Sequence, residues 1–361
     1  MAARSRLNAI QGLRAVAFAA IFISHAGTGN YDGLGAFGVA VFFVMSGFLM
    51  MLNYLQKETE PLCGVRFAFG KIKKLYPLHI VMMLFAAGYY LCSGFPALSI
   101  LRDMGIHTLL VQMWIPHTQF YTTLNGPSWY LCACFFLYLC FPPLLRLFKK
   151  RMTKRRAVIS LFVLFAAVVA VGAVNHIFGV QNVGNWFNAQ WATYYFPPAR
   201  FLDFAFGCVM GYLFLHRPPK PKKVTLLSTI MELLAAAAVV VALVIYAKKW
   251  GILGAVSFRF TTLFVPVSAL LLWLVASERG ALSFVLSLKP LVWLGNLSPY
   301  AFLIHGVVLR YCRNLRNPST EWNTTQKWLV ALLAFAITLV LSLLWERLTA
   351  ALAQKKNAKN S

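Results

Sequence analysis

Ten apolar runs, each long enough to cross a hydrocarbon core of about 30 Å, leave this chain few folds to choose from. They lie at approximately 11–28, 36–55, 77–95, 127–148, 157–177, 198–215, 224–247, 260–277, 288–309 and 327–352. Backbone polar groups must be satisfied inside lipid, so runs of this length predict helices, and the fold class is an all-α integral membrane protein. Composition agrees, because 60% of the 361 residues are hydrophobic and only 12% are charged, where a soluble domain carries about a quarter. Segment 96–126, which holds Pro96, Pro116, His107 and His117, is expected to form an amphipathic or re-entrant helix instead of a span. No repeat, linker or appended soluble region divides the chain, which predicts a single membrane domain over 1–361 with a short basic tail.

The net charge of +25 does not point to nucleic acid, because the cations sit in short loops between spans, as the positive-inside rule requires. Of 34 Lys and Arg, about 24 fall on one side and 8 on the other, with Arg14 and Arg200 inside spans. The rich side holds Arg4, Arg6, the 56–76 loop, KKRMTKRR at 149–156, RPPKPKK at 217–223 and the C-terminal tail. That side is expected to be cytoplasmic, with both termini there and loops 102–107, 178–197 and 310–326 facing outward. The second of these carries Asn182, Asn185, Trp186, Asn188, Trp191, Tyr194 and Tyr195. Such residues suit either sugar recognition or an aromatic interfacial belt. The first 29 residues have some signal-peptide character, yet Arg14 abuts the apolar core and His25 stands near its end, which favours a retained first helix. Seven cysteines include no CxxC pair and no histidine at zinc spacing, so no metal site is expected. Cys132 and Cys134, two apart, point to different sides of a helix.

In the first run, GLRAVAFAAIFISHAG, Arg14 and His25 are eleven residues apart. At about 100° and 1.5 Å per residue they share one helix face, about 16 Å apart along the axis. An intramembrane cation is costly, by about 2.5 to 3.5 kcal/mol on the insertion scale, and such residues usually face a cavity or a partner. The alternative is that Arg14 snorkels to the interface and His25 caps a helix end.

Arginine, ten residues, histidine, and then the glycine-led GVAVFFVMSGFLM containing Ser46 resemble the start of the acyltransferase-3 family. Five further stretches carry the resemblance. In FAFGKIKKLYPLH, Lys71 and Lys74 match an R-x-x-R ahead of Tyr-Pro with lysine for arginine, and are expected on one helical face where they suit phosphate. PSWYLCACF resembles a tryptophan-led motif in which a glutamate often follows about five residues after the tryptophan, but Cys134 stands there after Trp129. Trp129 also suits an interfacial anchor. RFLDFAFGCVMG resembles a motif of arginine, acidic residue and glycines, with Arg200 and Asp203 three apart as an intramembrane ion pair and Gly207 and Gly211 permitting close helix approach. LGNLSPYAFLIHG supplies His305, either a packed histidine or one that orients a catalytic group. LLWERL resembles a terminal Glu-Arg/Lys-Pro signature with Leu348 for proline, and Glu346 is expected to pair with a loop cation.

The resemblance implies a bacterial multi-pass enzyme of the cytoplasmic membrane that moves an acyl group, most often acetyl, from cytoplasmic acyl-CoA to a hydroxyl of an extracytoplasmic polysaccharide or glycolipid. Acyl-CoA is then a co-substrate, and no permanently bound cofactor is expected. Arg14, Lys71 and Lys74 would anchor the donor, and His25 would act as general base, which an imidazole of pKa near 6.5 suits. Ser46, Trp129, Arg200, Asp203 and His305 are candidate supporting residues. A transporter or flippase for a lipid-linked sugar is the rival, since intramembrane Arg, His and Asp also describe a polar pathway.

Overall fold

The computed structural model describes residues 7–27, 31–58, 64–178, 186–218, 221, 223–314 and 322–360, with side chains to residue 355. Arg4, Arg6, Cys63, Asn182 and Asn185 lie outside the described residues. The helices are, in order, α1 (Asn8–Ala26), α2 (Asp32–Tyr54), α3 (Gly64–Ile72), α4 (Tyr76–Cys92), α5 (Ala97–Thr108), α6 (Thr118–Thr122), α7 (Trp129–Arg151), α8 (Lys154–Ile177), α9 (Pro197–Leu215), α10 (Leu226–Lys248), α11 (Val256–Arg259), α12 (Phe264–Ala276), α13 (Ala281–Leu286), α14 (Lys289–Asn314) and α15 (Thr324–Asn360). Among the described residues, nine helical segments are long and apolar enough to cross a membrane, with α11 and α12 joined as one of them.

The third expected span, 77–95, falls on α4, which is long and apolar enough to cross only together with α3, from the expected 56–76 loop, and the two meet at 63°. Pro77, in the first turn of α4, lacks an N–H and would clash with the carbonyl four residues back if the helix ran through, so α3 stops at Ile72. Segment 96–126 holds α5, of 12 residues, α6, of 5, and a 3-10 turn at Gln112–Trp114, none of which is long enough to cross. Helix ends follow local chemistry elsewhere. Gly27 takes a left-handed φ of 69° after α1, and the Thr153 and Thr225 hydroxyls accept backbone N–H groups at the starts of α8 and α10.

Helices in lipid gain little from hydrophobicity alone, so close packing by small residues selects their neighbours. A Cβ on Gly47 of α2 would overlap the Phe204 carbonyl of α9, and one on Gly207 of α9 would overlap the Val44 carbonyl of α2. These two helices therefore touch backbone to backbone, with α1 and α14 packed beside them. The apolar window of α2 is 83% buried, against 17% for α8, which places α2 at the centre and α8 at the lipid-facing edge. On α8, α10 and α15, Phe162, Leu234 and Leu332 are exposed, as outward-facing lipid contacts should be.

Successive spans alternate direction and create two ends. At one, Lys149 Nζ donates to Lys57 O at 2.7 Å and Tyr212 donates to Met152 O at 2.9 Å. At the other, Asn188 Nδ2 donates to the Tyr121 hydroxyl at 2.8 Å, beside the end of α1. The first, which gathers the 149–156 cations, is called the basic end, and the second the histidine end.

Candidate active site

His25 is the last polar residue of α1, and α14 brings His305 to it from 280 positions away. His25 Nδ1 lies 2.8 Å from His305 Nε2, and the two rings lie edge to edge in nearly one plane, with centroids 5.1 Å apart and 5° between their planes. The rest of His305 fixes which nitrogen carries which proton. Its Nδ1 faces the carbonyls of Phe302 at 2.8 Å and Ala301 at 3.3 Å, which can only accept, so Nδ1 is the N–H. With both rings neutral, His305 Nε2 is an acceptor and His25 Nδ1–H donates to it. This tautomer is assigned from the hydrogen-bond network. It leaves His25 Nε2 unprotonated, on the far side of the ring from its partner. His305 is fully buried among Phe18, Phe22 and Phe302, at 5.8, 6.1 and 5.7 Å between centroids, so its orientation is held by packing.

Two cavities flank this pair. One, of about 200 Å³, is lined by Arg14, Ser46, Asn53, Lys71, Cys134 and Tyr138 among others, and lies toward the basic end. The other, of about 360 Å³ at the histidine end, is lined by His25, Tyr121, Trp129, Tyr195, Arg310 and Arg313. Arg14 and His25 thus share a helix but serve different cavities, as their separation along the axis requires. Between the cavities stand aromatic rings from three helices. Phe42 lies 5.8 Å from Phe302, and Tyr130 lies 5.9 and 5.2 Å from them. Phe302 also lines the Arg14 cavity while its carbonyl holds His305, so one residue connects the two compartments.

The other expected site residues divide. Lys71 lines the Arg14 cavity, with its ammonium 4.5 Å from the Tyr54 centroid. Lys74 does not share a helix face with it, because α3 has already ended; its ammonium is exposed and stands 5.5 Å from the Tyr300 ring. Ser46 Oγ meets the Tyr138 hydroxyl at 3.2 Å on the cavity wall. Arg200 and Asp203 form a fully buried ion pair at 2.6 Å, and Arg200 also donates to Thr193 O at 2.7 Å and stacks 4.8 Å from Tyr194. Neither residue lines either cavity, so the pair braces α9 against the 191–196 turn. Trp129 is buried against Phe43, Tyr194 and Tyr195 at the cavity wall and is no lipid-facing anchor. Among the described residues Glu346 makes no ion pair within 4 Å, so the expected loop cation is absent there. In the 186–196 turn, Asn188 and Trp191 spend their polar groups on Tyr121 and Met113, leaving Tyr195 to face the cavity.

Sequence reasoning missed Arg310, Arg313 and Tyr138. The first two were visible as cations on the cation-poor side, one turn apart. Tyr138 gave no signal, since a tyrosine in an aromatic span resembles its neighbours.

A family model described as an acyltransferase domain matches residues 7–347. Acyltransferase MdmB of Streptomyces mycarofaciens is 28% identical over 364 residues, covering 93% of this chain and 88% of that protein. Peptidoglycan O-acetyltransferase OatA of Listeria monocytogenes is 23% identical over 355 residues, covering 94% of this chain; the chain spans 54% of that protein's length. No solved structure matches the chain.

Proposed function

The chain belongs to the acyltransferase-3 family, and from that premise we propose that it is a bacterial membrane O-acyltransferase that moves acetyl from cytoplasmic acetyl-CoA to a hydroxyl of an extracytoplasmic polysaccharide or glycolipid. The observation that carries this reading is the His25–His305 pair at 2.8 Å, open to a cavity at the end opposite Arg14 and Lys71. The cation excess at the basic end supports a cytoplasmic setting for that end and for both termini.

In the proposed reaction, donor phosphates rest at Arg14 and Lys71, where guanidinium and ammonium groups meet oxyanions. The thioester then reaches His25 past Phe42, Tyr130 and Phe302. His25 Nε2 takes the proton of the acceptor hydroxyl as that oxygen attacks the thioester carbonyl. The tetrahedral adduct collapses with cleavage of the C–S bond, and the departing thiolate recovers the proton from His25. His305 keeps His25 Nδ1 hydrogen-bonded throughout, so the imidazolium formed midway has an acceptor in place.

The test uses purified protein, labelled acetyl-CoA and a crude surface-glycan acceptor. Wild type should release coenzyme A and label the glycan, while His25→Ala should lose both and keep donor binding. Wild-type-like turnover in His25→Ala would remove the proposed base. Glycolipid translocation by wild type without ester formation would move the assignment to a flippase.

A further inference from the structure

The cavity that receives His25 carries more positive charge than a general base requires. Arg310 and Arg313, one turn apart near the end of α14, both line it, and Arg313 also lines an adjoining hollow with Lys327 and Trp322. Arg310 donates through Nη1 to Leu124 O at 2.5 Å, with its guanidinium 4.8 Å from the Tyr90 centroid. Arg313 donates through Nη2 to the His25 carbonyl oxygen. A guanidinium has five N–H donors, so each arginine keeps most of its fork without a protein acceptor among the described residues. Among the described residues no carboxylate lines the cavity, and Asp32, in the first turn of α2 at the same end, makes no ion pair with either arginine. Like charges one turn apart repel, and cations are scarce at this end. Among the described residues the pair therefore has no carboxylate partner, and the negative charge of a ligand would balance it. Tyr89, Tyr121, Trp129 and Tyr195 supply rings and hydroxyls around it, a lining suited to sugar faces and hydroxyls.

We propose that the acceptor is an anionic saccharide, whose phosphate or carboxylate is held by Arg310 and Arg313 so that a neighbouring hydroxyl meets His25 Nε2. This rests on the acyl-transfer reading and narrows its substrate class. Because Arg313 is bonded to the His25 backbone, the anion site and the base move as one unit, and the distance between them selects which hydroxyl is acylated. A planar fork reads the paired oxygens of phosphate or carboxylate bidentately.

Equilibrium dialysis of labelled glucose 1-phosphate, glucuronic acid and glucose against purified protein in phosphatidylcholine nanodiscs tests this. The two anionic sugars should bind about tenfold or more tighter than glucose, as charge-assisted contacts allow, and the advantage should shrink with salt. The double variant Arg310→Gln/Arg313→Gln should lose the advantage, and Arg310→Lys/Arg313→Lys should keep part of it. Coenzyme A binding should be the same in all forms, which reports an intact fold and an undisturbed donor cavity. Equal binding of glucose and glucose 1-phosphate by wild type would overturn the proposal, as would unchanged anion binding in the double Gln variant. Displacement of the sugar phosphate by phosphatidylglycerol placed in the bilayer would also overturn it, by assigning the arginines to lipid headgroups. Binding needs no turnover, so failure of acyl transfer would refute the enzymatic reading without deciding this one.

Discussion

Replacing His305 with phenylalanine removes the acceptor for His25 Nδ1–H while keeping a ring among Phe18, Phe22 and Phe302. The base itself remains. What is lost is the bond that fixes its tautomer, and leaving that donor unmet against a phenyl ring at the fully buried position 305 costs about 1 to 3 kcal/mol. At about 1.4 kcal/mol per tenfold, kcat should fall about 5- to 150-fold. Donor affinity should stay constant, because Arg14 and Lys71 line the other cavity. His305 touches no reacting atom, so its effect must run through His25, and the double variant His25→Ala/His305→Phe should be no slower than His25→Ala alone. Coenzyme A release from acetyl-CoA in the presence of surface glycan gives kcat, and calorimetry gives donor affinity. Turnover within twofold of wild type in His305→Phe, or additive losses in the double variant, would refute the positioning role.

Three further outcomes follow from the geometry. Arg14→Ala or Lys71→Ala should weaken coenzyme A binding about 10- to 150-fold, the worth of a charged hydrogen bond, with partial recovery in Arg14→Lys; Lys74→Ala, outside the cavity, should change it little, as calorimetry would report. Gly207→Val forces a side chain into the Val44 carbonyl and should destabilise the α2–α9 contact by about 1 to 3 kcal/mol or more, seen as a lowered thermal transition in detergent. Burial holds His107, which donates through Nε2 to Phe120 O and accepts at Nδ1 from the Ser128 hydroxyl, down from its ordinary 6.5 to about 4. The unfolded chain then binds this proton first, so stability is flat above pH 6.5, falls by about 3 kcal/mol as pH drops from 6.5 to 4, and is flat again below. His107→Gln, which keeps a donor for the Phe120 carbonyl, should remove that share of the acid loss, read from thermal unfolding at pH 7 and pH 4.5.

The helices were legible because lipid enforces them wherever an apolar run exceeds its thickness; nine of the ten runs fall on segments long enough to cross, and the 77–95 run falls on α4, which qualifies only with α3 as a bent pair. The break between α3 and α4 was written in Tyr76-Pro77, yet only the proline's clash with a continuing helix shows that Lys71 and Lys74 part company there. Arg14 and His25 were legible because both lie on one helix, where spacing fixes the face. The partner of His25 was not, since no local period links α1 to a histidine 280 residues away. Arg200 and Asp203 were read correctly as a pair from their spacing, but whether a buried pair reacts or braces depends on which cavity it reaches, and that is a property of packing. Asn188 and Trp191 had the composition of a sugar-binding loop and turned out to satisfy Tyr121 and Met113, because buried polar groups in a turn must find internal partners.

In the proposed reaction His25 catalyses formation of an ester on a surface glycan. Mass spectrometry of surface glycans from cells that carry the wild-type protein, the His25→Ala variant at equal membrane level, or no protein tests it most directly. A base-labile mass increase of one acetyl per modified sugar is expected in the wild type alone. Unchanged glycan masses across all three, or the same ester in cells carrying His25→Ala, would contradict it.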